Sequence, residues 1–234
     1  MQMLHELHPR EKLVCRGEYR CLVGGLEIDY AESWLVTHLP NGQQVIRAEV
    51  RGDSGGEQAH LLTHMVRDAE EQPAWLRMRY SRGALGGAVQ YTFRPATVQI
   101  ARQTWGLRPW QEVVDIAEGY GVDYPPIIGR DYVWRAYPPN EQMEVRSLPV
   151  FSPDLWAEEA RMLTGRTLRY NARPELDVGC TVPAGEFRRA EHFRLTLSDG
   201  ERAEAWYDEE GVPLRWLYPD KDYDFVLTVY ERFE

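Results

Sequence analysis

The last quarter of the chain, Thr181 to Phe233, constrains what the rest can be. Phe193, Leu195 and Leu197 alternate with Arg194 and Thr196, the period of a strand with one buried face. Ser198-Asp199-Gly200 is a turn signal, with Gly200 free to take positive φ. Arg202 to Tyr207 alternates until a second turn at Asp208-Glu209-Glu210-Gly211. Val212 to Tyr218 is a third strand, with Pro213 early in it, where no ladder donor is lost. Pro219 to Asp222 turns again and Phe225 to Tyr230 closes a β-meander.

Upstream the pattern repeats. Leu13 to Val23 reads as a strand, Gly24-Gly25 as a turn or bulge, and Leu26 to Leu39 carries Ile28, Tyr30, Trp34 and Val36 on even positions. Pro40-Asn41-Gly42 signals a hairpin, because Asn-Gly accepts positive φ, and Val45 to Val50 returns. Glu57 to Asp68 fits helix or strand equally: Leu61, Leu62, Met65 and Val66 approach helical spacing, while Thr63 and Val66 are β-branched. Trp75 to Tyr80 and Val89 to Ile100 alternate, linked through Gly83, Gly86 and Gly87.

The middle differs. Trp110, Val113, Val114 and Ala117 predict a short helix over Trp110 to Glu118. Tyr124-Pro125-Pro126 and Tyr137-Pro138-Pro139 bracket Ile127 to Ala136 and impose extended or turn conformations on their flanks. Ser152-Pro153-Asp154 predicts a helix start, running to Leu163 and ending at Thr164-Gly165. Leu168 to Tyr170 reads as a short strand. No linker is long or polar enough to divide the chain, so residues 1–234 are expected to form a single β-rich domain. Strands with glycine turns lie on both sides of the middle, but the halves do not align residue by residue.

A chain of 234 residues buries roughly 70% of the surface its unfolded form exposes, and needs no disulfide or metal staple. The net charge of −10 argues against a nucleic-acid backbone or an anionic membrane as main partner. No apolar run reaches the roughly 20 residues of a membrane-spanning helix, so no integral membrane segment is expected. Met1 to Arg16 lacks a hydrophobic leader core, and Cys15, Cys21 and Cys180 are sparse and odd in number. Both features point to a cytoplasmic protein with reduced thiols.

No catalytic constellation emerges. His60-Leu61-Leu62-Thr63-His64 lacks the glutamate that follows the first histidine of a zincin, so the pair reads as partly exposed histidines on an amphipathic element and no metal site is assigned. Asp220, Asp222 and Asp224 have calcium-loop spacing, but Phe225 stands where that loop needs glycine; a solvated acidic turn is the reading. Gly83 to Gly87 lacks the lysine of a phosphate loop, no Gly-x-Ser-x-Gly elbow occurs, and no cofactor is called. The aromatics are the unusual feature: eight Trp and thirteen Tyr against six Phe. Such rings join an apolar body to a polar handle and suit the wall of a cavity, as well as a sheet's core and rim. The candidate ligand-binding residues are Trp105, Trp134, Trp156, Trp206, Trp216 and Tyr218.

Val182-Pro183-Ala184-Gly185-Glu186-Phe187 and Ala205-Trp206-Tyr207-Asp208-Glu209-Glu210-Gly211-Val212-Pro213-Leu214 resemble the LolA/LolB-like superfamily. The resemblance is to its bacterial members with a PAGxF strand and a WxDxxGxP hairpin. Val23 to Ile28 is similar to their opening hairpin. The resemblance implies a mainly β (α+β) fold: a strongly curved antiparallel sheet, or half-open barrel, wrapped around one or two short helices. The helix after Ser152 would be the plug, and an apolar concavity would hold acyl chains. The lipoprotein carriers of that superfamily are exported, and this chain shows no leader or lipobox cysteine near its start.

The expected function is therefore a non-enzymatic binding protein that holds a lipid or other amphipathic small molecule on the concave face. An interaction or homodimerising module is the second reading. A hydrolase-type enzyme using a cleft histidine or carboxylate is the third.

Overall fold

Alternation becomes pairing in the computed structural model, which describes residues 7–54, 56–136, 145–155 and 163–233. Lys12–Val23 (β1) and Leu26–His38 (β2) pair around Gly24-Gly25. Gln44–Ser54 (β3), Glu57–Arg67 (β4), Pro73–Arg82 (β5), Leu85–Arg94 (β6), Thr97–Thr104 (β7) and Trp110–Asp115 (β8) then add in turn, each antiparallel to the last. Gly121–Val122 (β9) follows, and then a second meander: Arg146–Asp154 (β10), Thr164–Val182 (β11), Gly185–Leu197 (β12), Arg202–Tyr207 (β13), Pro213–Tyr218 (β14) and Tyr223–Arg232 (β15).

The meanders fuse because β1 pairs with β15, from Cys15 opposite Arg232 to Val23 opposite Tyr223. Among the described residues the result is one fifteen-stranded sheet, ordered β8 to β1, then β15 down to β9. Among the described residues its single parallel pairing is β9 with β10. The sheet is not closed: β8 and β9 are its edges and do not pair with each other.

The period-2 pattern sends Tyr19, Trp34, Ile46, Met65, Met78, Tyr91 and Ile100 of the first meander to the same core as Tyr170, Phe193, Leu195, Tyr207 and Trp216 of the second. Far strands meet there without sharing a ladder. The Tyr91 hydroxyl on β6 donates to the carbonyl oxygens of Leu163 (3.1 Å) and Thr164 (2.7 Å), and its ring meets Phe151 of β10 edge-on at 5.5 Å.

Two expectations for the middle are corrected. Trp110 to Glu118 is not a helix: Trp110–Asp115 is strand β8, which among the described residues is an edge paired only with β7. With one neighbour and both faces partly wet, nothing forces a clean alternation, so helical spacing arose by chance. Ser152-Pro153-Asp154 does not start a helix; it ends β10, opposite Arg166, Gly165 and Thr164. The β9 ladder stops at Phe151, so Pro153 sits where the strand has a single partner and its missing donor costs little. The rest of that expected helix, residues 156–162, lies outside the described residues. The ambiguous Glu57 to Asp68 is strand β4, and the short strand at Leu168 to Tyr170 is part of the nineteen-residue β11.

The helical turns fall instead between β9 and β10: a 3-10 turn at Ile127–Arg130 and a five-residue helix α1 at Tyr132–Ala136. Val122, Tyr124, Ile127, Ile128, Tyr132 and Val133 are buried in the same core as the sheet. Among the described residues no helix is long and apolar enough to cross a membrane.

Candidate functional site

Most of residues 122–133 are buried, so their polar groups need partners. The sheet supplies them from several strands. Glu32 lies on β2 in register with Tyr30 and Trp34, on the face that is otherwise apolar, and is 1% exposed. Its carboxylate accepts hydrogen bonds from the backbone N–H groups of Ile127 (2.8 Å) and Ile128 (3.0 Å) and from the Tyr30 hydroxyl (2.7 Å). It thus caps the 3-10 turn, whose first amides have no partner of their own. Burial pushes the Glu32 carboxyl up to about 7, against the pull of those three donors and of Arg130.

Asp131 is the second anchor. Arg67, from β4, grips both its oxygens at 2.5 Å, and Arg135 Nε adds a bond of 2.7 Å. Burial alone would raise the Asp131 carboxyl, but the two guanidiniums outweigh it and hold the group near 2. Arg67 also reaches Gln44, and Arg135 pairs with Glu71. The third anchor is Asp123, which accepts from the Tyr170 hydroxyl of β11. Tyr207 of β13 donates to the carbonyl oxygen of Arg130 at 2.7 Å.

Arg130 differs from Arg67. It is held between aromatic faces, with its guanidinium 4.9 Å from the Trp216 ring and 5.6 Å from that of Tyr218. Among the described residues it donates one hydrogen bond, to the Tyr218 hydroxyl, and forms an ion pair with Asp123 at 3.6 Å. Its Nε is buried without a partner. Burial opposes its charge, yet Asp123 and the surrounding tyrosines keep it protonated.

Two clefts flank this segment at opposite ends of β2 and β3. One, of about 250 Å³, is walled by Tyr30, Val50, Ala59, Leu61, Tyr80, Leu155 and Phe225 and floored by Pro125, Pro126, Ile127 and Arg130. Asp29, Asp53 and His60 stand at its mouth. The other, of about 320 Å³, is lined by Val36, Gln44, Ile128, Trp134 and several charged groups, among them Glu71, Asp131, Arg135 and Glu209. The first cleft thus joins apolar walls to a few polar groups, with Arg130 on the floor and the acids and histidine at the mouth.

The six residues nominated from sequence divide. Trp216 and Tyr218 come together around Arg130, on the inner face of β14. Trp134, on α1, packs over Gly211 and lines the second cleft. Trp105 is half exposed in the turn after β7, its ring above Gly86. Trp206 points the other way, stacked on His192 at 4.3 Å and 6° between planes, with Arg215 at 5.2 Å. Trp156 lies outside the described residues.

Three of the histidines are paired or packed against neighbours. His60 Nε2 meets Glu49 at 2.7 Å. His64 packs edge-on to Trp75, and burial, then the nearby Arg47, lowers it to about 4. Buried His192 bridges Glu175 (3.1 Å) and Glu204 (3.0 Å) across three strands, away from both clefts. Among the described residues no group of three His, Cys, Asp or Glu side chains is placed to hold a metal ion. The three cysteines are buried and unpaired.

Sequence reading missed Glu32, Arg67, Asp123, Arg130 and Asp131. For two of them a signal existed. Glu32 interrupts the even-numbered apolar series Ile28, Tyr30, Trp34, Val36, and Arg67 ends the inward series Leu61, Thr63, Met65 once the segment is read as a strand. A charge on a core-facing register calls for a buried partner.

Fold and site together define a mainly β chain, built on one open antiparallel sheet with a buried, polar-anchored segment beside an apolar cleft. No family model matches the chain, and no curated protein does. Among solved structures it is similar to a DUF1089 family protein from Pseudomonas aeruginosa, with a TM-score of 0.51 and 12% identity, covering 81% of this chain and 90% of that one. At that identity the likeness is one of fold. It overturns the LolA/LolB resemblance, since the matching structure is not a LolA or LolB protein and no family model supports that assignment. The PAGxF and WxDxxGxP matches were matches of turn chemistry, which any meander with tight hairpins requires.

Proposed function

We propose that this protein is a non-enzymatic binder of an amphipathic small molecule of lipid type, held in the apolar cleft between the inner sheet face and residues 125–130. In this reading the chain is a single domain whose sheet bends around residues 122–136 as a half-open barrel. The observation that carries it is the cleft itself: about 250 Å³, apolar on its walls, with Arg130 in its floor. Side chains such as Tyr19, Tyr91, Phe151 and Trp216 fill the inner face elsewhere. The room left therefore suits one short apolar chain or ring, roughly eight non-hydrogen atoms at about 30 Å³ each. Buried, unpaired cysteines fit a cytosolic setting.

Native mass spectrometry with added octanol and octanoate tests the reading. One bound molecule per chain is expected, with occupancy falling at least about tenfold in Ala59→Phe, which fills the cleft wall. Absence of binding, or binding indifferent to Ala59→Phe, would defeat it.

A second reading has an observation of its own. Edge strand β8 carries exposed Trp110 and Val113, the latter 60% exposed, and a flat apolar edge is a template for pairing with another chain. As an antiparallel β8–β8 homodimer, the protein would double its mass in light scattering as concentration rises, and Val113→Lys would keep it monomeric. A concentration-independent monomer would remove this reading.

A further inference from the structure

We infer that the cleft selects amphiphiles with an anionic head, a carboxylate or phosphate monoester, seated on the Arg130 guanidinium with the apolar tail against Leu61, Val50 and Phe225. This inference rests on the cleft reading above and names the ligand class.

A guanidinium carries five N–H donors in a planar fork matched to carboxylate and phosphate oxygens. Among the described residues Arg130 uses one of them, on the Tyr218 hydroxyl, and its Nε is buried without a partner. Asp123, at 3.6 Å, forms an ion pair with Arg130 without a direct hydrogen bond; one of its oxygens takes the Tyr170 hydroxyl and the other has no hydrogen-bond partner. Arg67, the neighbouring buried arginine, shows the contrast: its fork is closed on Asp131 and Gln44. Arg130 therefore has donors to spare, and its side chain is still 16% exposed where it lines the cleft.

The position gives the charge its weight. Trp216 and Tyr218 fix the guanidinium plane, so little freedom is lost when an anion docks. The apolar walls exclude water, which strengthens the attraction. Asp29 and Asp53 stand at the solvent-exposed mouth, where salt screens them more than it screens the floor. A cationic head drawn to those two acids is the competing arrangement, and it would leave Arg130 unused.

Four probes with one tail separate these cases: octanoate, octyl phosphate, octanol and octyltrimethylammonium, titrated calorimetrically into the full chain. The expected result is that octanoate or octyl phosphate binds at least about tenfold tighter than octanol, as a charge-assisted fork demands. The better of the two tells the carboxylate source from the phosphate source. Arg130→Gln is expected to bring that ligand down to the affinity of octanol. Should Arg130→Gln fail to fold, the head-group comparison on the wild-type protein still decides. Equal affinity for octanoate, octyl phosphate and octanol overturns the anionic head and leaves the cleft reading standing. Preference for the ammonium overturns it in favour of the acidic mouth, and binding of no probe overturns both.

Discussion

At the residue scale the buried carboxylates set opposite pH responses. Glu32 has its carboxyl raised to about 7 in the folded chain, against roughly 4.3 when unfolded. Below that lower value it is protonated in both states and costs nothing. As pH climbs toward 7 the unfolded chain releases its proton first, and stability falls by about 1.36 kcal/mol per pH unit, on the order of 3 kcal/mol in all. Urea unfolding at pH 4.5 and 7.5 is expected to show this loss in the wild type and not in Glu32→Gln. A gap between the two proteins that stays constant with pH would refute it. Asp131, held near 2 by Arg67 and Arg135, acts the other way: its stabilisation is present above pH 4 and disappears as pH drops through 2. Asp131→Ala strands the buried Arg67 guanidinium and is expected to cost about 3–5 kcal/mol at pH 7. Arg67→Met combined with Asp131→Leu is expected to cost clearly less than the single change. Equal losses would mean that the pair itself, rather than the uncompensated charge, supplies the stability.

The element that joins the two meanders is the β1–β15 ladder, and it has a tight point. A Cβ on Gly17 would stand 2.5 Å from Trp34 Cζ2 and 2.6 Å from the carbonyl oxygen of Val229. The ring has some room to shift; the paired backbone of β15 does not. Gly17→Ala is therefore expected to lower stability by about 1–3 kcal/mol in urea unfolding, as overpacking does, and a neutral result would show that the ladder yields. Gly211 faces a related constraint, with φ at +82° and the Trp134 indole against it. It lets the β13–β14 turn approach α1.

For the whole molecule, the join between the first and last strands has a cost in sequence distance. Arg16 on β1 bonds Glu231 on β15, 215 positions along the chain, and such long-range pairing makes folding slow. It also places β1 and β15 in the middle of the sheet, where opening requires global unfolding. Hydrogen exchange followed by mass spectrometry is expected to find the β1 and β15 amides among the slowest, and those of edge strand β8 faster by orders of magnitude. Fast exchange in β15 would mean that the two meanders separate in solution, contrary to a single cooperative unit.

The strands and most turns were legible because alternation and turn chemistry are local: a pleat puts successive side chains on opposite faces whatever lies around it. Thus Phe193, Leu195 and Leu197 point inward as their spacing says, and Pro213 opens β14 as a strand proline should. Where local preference was thin, pairing partners overrode it. Ser152-Pro153-Asp154 has good helix-start chemistry, yet the ladder with Thr164 to Arg166 claims it for a strand. The candidate site was legible only as hints, such as Glu32 on an apolar face. A buried charge is tolerable only with its partner, and the partners come from distant chain: Ile127 and Ile128 for Glu32, Arg67 for Asp131, Tyr218 and Trp216 for Arg130. The sequence by itself determined which residues alternate and where the chain turns. The tertiary structure alone decided which charges meet inside the sheet and where space is left beside them, because desolvation has no local signature.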